Sequence, residues 1–182
     1  MAGNPWEAHA DVLSIDDALL AGRTTIYEAE EEYKNALRKG TETYEACVKA
    51  REEAEQAEKD AKYQLEKEEQ EIADLWKQIE ASEKKIASAQ KNGDKDGANS
   101  EKAWMDSLYA DVARHEDKRK ELSNIHASAE ENLKGCQEDE KEAKNALEEL
   151  QTGVANRLQQ IKEMEEKNQS ELSRKGTSIR RK

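Results

Sequence analysis

The chain has 182 residues, of which 40% are charged and 35% apolar, and its formal net charge is −12. That length suits one domain or one elongated helical assembly. The acidic balance argues against nucleic acid or an anionic membrane as the main partner of its body, since both repel negative protein.

Phe is absent, Pro occurs once, and there are 8 Gly. High charge with few aromatics is also a mark of disorder. Here, however, Ala, Glu, Lys, Leu and Gln dominate, which are strong helix formers. The profile fits a long helix or coiled coil. No apolar run approaches the roughly 20 residues that span a bilayer. No positively charged, apolar amino-terminal signal is read either, so the expected location is cytoplasmic. In that compartment Cys47 and Cys136 are expected as reduced thiols.

Residues 1–22 are predicted as a short helical base segment. Asn4-Pro5-Trp6-Glu7 reads as an N-cap followed by Pro at the first helical position and Glu at the third. Ser14-Ile15-Asp16-Asp17 offers a second start, and Gly22 a stop. The segment carries Trp6, Val12, Leu13, Ile15, Leu19 and Leu20, more apolar bulk per residue than the rest of the chain. Its expected role is to cover the base of a longer element or to meet a partner.

Residues 23–90 are predicted as a first long coiled-coil helix, opened by the capping box Thr25-Ile26-Tyr27-Glu28. Two heptad rows run along it. One is Leu37, Tyr44, Arg51, Glu58, Leu65, Ile72, Ile79 and Ile86. The other is Tyr33, Gly40, Cys47, Ala54, Ala61, Glu68, Leu75, Ser82 and Ala89. They behave as a and d positions, with Arg51, Glu58 and Glu68 as polar interruptions.

Residues 91–100, Lys-Asn-Gly-Asp-Lys-Asp-Gly-Ala-Asn-Ser, break the helical texture. Asn92, Asp94, Asp96 and Gly97 have the spacing that opens an EF-hand loop, but the twelfth position is Ala103 where a bidentate Glu is needed. Asn92-Gly93 and Asp96-Gly97 are turn dipeptides, and Asn99 or Ser100 can cap the next helix. The stretch is predicted to be a hairpin turn rather than a calcium site.

Residues 101–172 repeat the pattern as a second long helix. One row is Met105, Val112, Arg119, His126, Leu133, Glu140, Leu147, Val154 and Ile161. The other is Leu108, His115, Leu122, Ala129, Cys136, Ala143, Leu150, Arg157 and Met164. A turn between two such helices gives an antiparallel hairpin, and the 3.5-residue spacing implies a left-handed supercoil. The preferred register makes opposed residue numbers sum to 187. It sets Gly40 against Leu147 and Ala54 against Leu133, large against small as close packing requires. It also sets Glu68 against Arg119 as a register-fixing ion pair; a slide to a sum of 194 would set Glu68 against His126. Arg51 and Glu140 are further register-setting polars. Gly40 and Gly153 offer a bend. From Arg174 to Lys182 there are five basic residues and no acidic one, so 173–182 is predicted as a flexible basic tail and the one place for a contact with lipid or another acidic partner.

No phosphate-binding glycine loop, C-x-x-C or H-E-x-x-H occurs. No catalytic residue, cofactor or metal site is expected, and the chain is read as no enzyme. His115 and His126 fall on seam rows as polar layers. Trp76, Trp104 and Tyr109 flank the seam near the turn, where a two-helix seam does not need them. Trp and Tyr are enriched at binding hot spots. Together with Trp6, Leu13, Leu19 and Leu20 they are the candidate protein interface.

The expected fold is therefore all-α: an elongated antiparallel coiled-coil helical hairpin with a short helical base, open to dimerisation. The expected function is a structural or adaptor protein that binds another protein or itself, a homodimer being the favoured assembly. Two alternatives share the texture. One is a membrane-associated helical dimer similar to the BAR superfamily, against which the net charge counts. The other is a helical-hairpin component of a stalk or export apparatus, broadly similar to small flagellar and type III export proteins. No motif carries a family assignment.

Overall fold

A computed structural model describes the backbone of residues 3–179 and the side chains of residues 3–174. It contains three helices, α1 (Glu7–Leu20), α2 (Ile26–Lys91) and α3 (Lys95–Ile179), and no strand among the described residues. The fold is all-α. Packing divides the chain into two units, Met1–Glu52 with Gly135–Lys182, and Glu53–Lys134. Both long helices contribute to each unit.

The helix ends follow from local chemistry. α1 is one continuous helix, so Ser14-Ile15-Asp16-Asp17 is not a second start; the Asp16 side chain is used elsewhere. The Asn4 side chain accepts from the Trp6 amide at 3.0 Å, and the Asn4 carbonyl from the Glu7 amide at 3.1 Å. At the other end Gly22 takes φ +66°, a left-handed value that costs glycine nothing. The Gly22 amide then reaches the Leu19 carbonyl and the Arg23 amide the Ala18 carbonyl, the two bonds of a Schellman cap. α2 opens on the predicted capping box. The Thr25 amide donates to Glu28 Oε2 at 2.9 Å, and the Glu28 amide donates back to Thr25 Oγ1 at 3.2 Å. These bonds, the one from the Thr25 backbone first, hold the Glu28 carboxyl below its ordinary value.

The turn between α2 and α3 is shorter than the sequence suggests. Only Asn92, Gly93 and Asp94 leave helical structure. Gly93 takes φ +71°. Its amide reaches Gln90 and the Asp94 amide reaches Ala89, a second Schellman cap. Asp94 then caps α3, accepting the Gly97 amide on Oδ1 at 2.9 Å. Asp96-Gly97 and Asn99-Ser100 therefore lie inside α3 rather than in the turn, because Asp94 already satisfies the helix start.

In the first unit three helices share one core. α1 supplies Ala8, Val12 and Ile15, α2 Ala29, Tyr33 and Ala36, and α3 Leu150, Val154 and Ile161. Each set follows the three-four spacing that puts side chains on one helical face. Leu19, Ile26, Leu37 and Leu158 pack around them. Gly40 is the close-approach point. A Cβ there would lie 2.5 Å from Leu150 Cδ2, so the Leu150 side chain would have to shift, whereas Leu147 Cδ1 at 3.6 Å and Ala8 Cβ at 3.8 Å would be ordinary contacts. α2 runs unbroken through it, so Lys39-Gly40-Thr41 neither ends one helix nor caps another. α3 continues to Ile179, past the boundary placed at residue 172. No proline interrupts residues 173–179, and the Ser170 and Ser173 hydroxyls bond to the Lys167 and Gln169 carbonyls without breaking the helix. The remaining basic residues, Arg180, Arg181 and Lys182, lie outside the described residues.

In the second unit α2 and α3 pair alone and antiparallel. Ile79, Leu108 and Val112 are its buried apolar cluster, flanked by Leu75 and Met105. All five belong to the predicted heptad rows. Ile72 is buried beside this cluster in sequence, but the next layers are polar: Glu68 and Ser82 are each only 2% exposed. The Ser82 hydroxyl donates to Glu101 Oε1 at 2.8 Å, and the Lys85 ammonium lies 3.3 Å from the same oxygen.

Candidate functional site

Two kinds of feature in this fold could do work: polar layers in the helix pairs, and rings left outside them. The predicted seam rows are buried or half-buried from Tyr33 to Ala89, and from Met105 to Ile161 with one exception. That exception, Arg119, corrects the expected ion pair. Arg119 is exposed, and Glu68 turns instead to α3 one turn earlier. Its Oε1 lies 2.5 Å from His115 Nδ1 and its Oε2 accepts from the Lys118 ammonium at 2.6 Å. Glu71 Oε2 also comes within 3.5 Å of His115 Nδ1. Neither register considered for Glu68, with Arg119 or with His126, gives its partners. A long guanidinium arm reaches water at the helix edge more easily than it fills a seam layer. Burial pushes the Glu68 carboxyl up, but the Lys118 and His115 hydrogen bonds outweigh it and leave it below its ordinary value.

A second polar layer of this unit joins Glu58 to His126, with Oε1 2.9 Å from Nε2. Glu130, one turn along α3 from His126, brings an oxygen to 3.8 Å from the same nitrogen. Within the first unit Arg51 Nε donates to Glu140 Oε2 at 2.8 Å, so these two expected register polars do meet.

The first unit also holds a network that the sequence rows only half reveal. Asp16 of α1 receives the Tyr33 hydroxyl at 2.6 Å and Arg157 Nε at 2.8 Å, with Arg157 Nη2 at 2.5 Å. The Arg157 guanidinium holds the Asp16 carboxyl below its ordinary value, and Asp16 in turn raises Arg157. Burial, helped by the Asp16 bond, pushes the Tyr33 phenol up to about 12. Tyr33 and Arg157 were legible as seam residues. Asp16 was not, because an acidic residue mid-helix carries no positional signal of its own. Beside this network lies an open groove of about 1000 Å³, lined by Leu19, Leu20, Ile26, Tyr33, Ile161 and Met164 among others.

The candidate interface residues divide. Trp76 and Tyr109 face each other from α2 and α3, ring centroids 5.9 Å apart in an edge-to-face pair. They still leave 45% and 40% of their surface exposed, and Trp104 51%. Leu13 and Leu20 project into solvent from α1. Trp6 and Leu19 make contacts within the first unit, though Trp6 stays 37% exposed. Trp6 Nε1 donates to Glu142 Oε1 at 2.8 Å and its ring leans on His9, whose Nε2 bonds to the Ala146 carbonyl at 2.8 Å. Leu19 packs against the core. Their placement follows from α1 docking along α3, which also buries Ala146, a position neither heptad row includes.

Cys47 and Cys136 are free thiols, and burial pushes the Cys47 thiol up. No helix among the described residues is long and apolar enough to cross a membrane. Comparison of the chain with protein-family models, with curated proteins and with solved structures finds no match.

Proposed function

We propose that this chain is a non-enzymatic scaffold or adaptor whose work is protein–protein contact. The observation that carries the reading is the set of half-exposed rings, Trp76, Tyr109 and Trp104, on the second unit. A helix pair with an apolar seam gains little from leaving three large amphipathic rings in water, and such rings are what binding hot spots are made of. The charges around them favour one kind of partner. The nearby Lys77, Lys84 and Lys85 are each already within ion-pair distance of a carboxylate, on Asp74, Glu80 and Glu101. The chain as a whole carries −12. An amphipathic helix with an apolar face flanked by Lys and Arg complements both the rings and the charge. A second copy of this chain offers the apolar face but brings the same negative charge.

The test uses light scattering on the full chain over a concentration series, then titration with a model helix of Leu and Lys, followed by tryptophan fluorescence. A monomer that binds the Leu/Lys helix, and loses most of that binding in Trp76→Ala/Trp104→Ala, is the expected result. A dimer that the double variant returns to monomer would make the occupant a second copy. A monomer whose binding is the same in the double variant would remove the rings from the function.

A further inference from the structure

We propose that Glu58, His126 and Glu130 form a binding site for a divalent transition metal of the zinc class, bridging α2 and α3 within the second unit. Donor atoms from the three residues all lie within 4.8 Å of one another. A tetrahedral zinc site with metal–donor bonds of about 2.0–2.2 Å needs donors about 3.3–3.6 Å apart. His126 Nε2 lies 2.9 Å from Glu58 Oε1 and 3.8 Å from Glu130 Oε1, which brackets that separation. Small rotamer changes would equalise the two. Nitrogen from an imidazole with oxygens from two carboxylates is a donor set that suits zinc and its neighbours.

The positions have a reason to be where they are. His126 and Glu130 are four residues apart on α3, so they share a face. Glu58 reaches them from α2. The His126 and Glu58 side chains are only 18% and 19% exposed, whereas that of Glu130 is 61% exposed and opens the site to water. A metal could enter from the Glu130 side and keep a water as its fourth ligand, the arrangement of an open rather than a closed zinc site. Two carboxylates would neutralise the ion, with the imidazole nitrogen bound in its unprotonated form.

A second cluster, Glu68, Glu71 and His115, also brings donors within 4.8 Å. It is the weaker candidate because the Lys118 ammonium already occupies Glu68 Oε2 at 2.6 Å. A metal there would have to displace a cation from a nearly buried carboxylate. At the first cluster Glu58 and Glu130 both pair with His126, itself a ligand of the proposed site.

The experiment is titration of the metal-free full chain with Zn(II) by calorimetry, and with Co(II) by visible absorption, which reports tetrahedral coordination. The expected result is saturable uptake of one equivalent. Each of Glu58→Gln, His126→Ala and Glu130→Gln should weaken it by about tenfold or more, with His115→Ala unchanged. Glu130 is exposed, so Glu130→Gln keeps the test decisive if His126→Ala disturbs folding. No saturable uptake would overturn the proposal. So would uptake that ignores Glu58→Gln and Glu130→Gln, which would mean adventitious chelation by surface carboxylates. Loss of uptake in His115→Ala with His126→Ala unaffected would place the metal on the other cluster and overturn this assignment.

Discussion

The two units are built from the same pair of helices and differ in what a third helix adds. In the first, α1 turns a two-helix seam into a three-sided core, so Tyr33, Leu150, Val154 and Ile161 are nearly free of water. In the second, no third helix covers the pair, and the buried apolar cluster shrinks to Ile79, Leu108 and Val112. Three polar layers interrupt its seam: Glu58 with His126, Glu68 with His115 and Lys118, and Ser82 with Glu101. An apolar core supplies the free energy of folding, roughly 1.5–3 kcal/mol for each large side chain fully buried. Polar layers return little net stability, because desolvation offsets their attraction, but they restrict which residues can face one another. The same helices thus hold fast where α1 covers them, and carry their half-exposed rings and convergent donors where it does not.

Breaking the covered core should have the largest effect. Tyr33→Ala removes a large ring from a site that is 2% exposed and should cost about 3–5 kcal/mol, measured by urea denaturation. A cost below about 1 kcal/mol would mean that the three-helix core is loosely packed.

Asp16→Asn should come next. It weakens the bonds to Tyr33 and Arg157 and should cost about 1.5–3 kcal/mol at neutral pH, the range for hydrogen bonds to charged groups. The dependence on pH has a definite sign. The folded Asp16 carboxyl titrates below its ordinary value, so its contribution is complete above the unfolded aspartate value of about 4. It is lost as pH falls through the lower folded value. The stability gap between wild type and Asp16→Asn should therefore close on acidification below that point, and a gap that stays constant down to about pH 2 would contradict the pairing.

Gly93→Ala tests the turn. Its φ of +71° disfavours any Cβ by about 1–2 kcal/mol, so a loss of that order is expected, while Gly135→Ala, in open helix surface, should gain up to about 1 kcal/mol. Glu68→Leu should change least. Removing one member of an ionic layer is costly only where its partner is left buried, and the Lys118 and His115 side chains are 59% and 29% exposed, so water can take the place of the Glu68 carboxylate. An unchanged or raised midpoint is expected; a large loss would show that the polar layer stabilises the second unit as the core stabilises the first.

Much of this was legible in the sequence because helices announce themselves by period. The heptad rows located the buried faces of α2 and α3, and Thr25 with Glu28, Gly22 and Gly93 marked ends whose bonds are local. The errors arose where the deciding contact is distant. Asp96-Gly97 reads as a turn until Asp94 is seen to cap the helix first. Glu68 reads as facing Arg119 by register, but partner choice depends on which arm fits the seam, and His115 and Lys118 fit better. Trp6 and Leu19 read as apolar bulk that either covers a longer element or meets a partner, and nothing in their own segment shows that α1 docks on α3. The Glu58, His126 and Glu130 cluster was visible only as seam interruptions, since Glu130 lies outside both rows and joins the others only through the helical turn.

Native-state hydrogen exchange would separate the two regions in one experiment, since it ranks amides by the free energy of the opening that exposes them. The slowest amides should fall in residues 29–37 and 150–158, where α1 completes the core, with residues 72–79 and 108–112 exchanging sooner. Slower exchange at 72–79 and 108–112 than at the α1-covered segments would contradict the assignment of stability to the first unit.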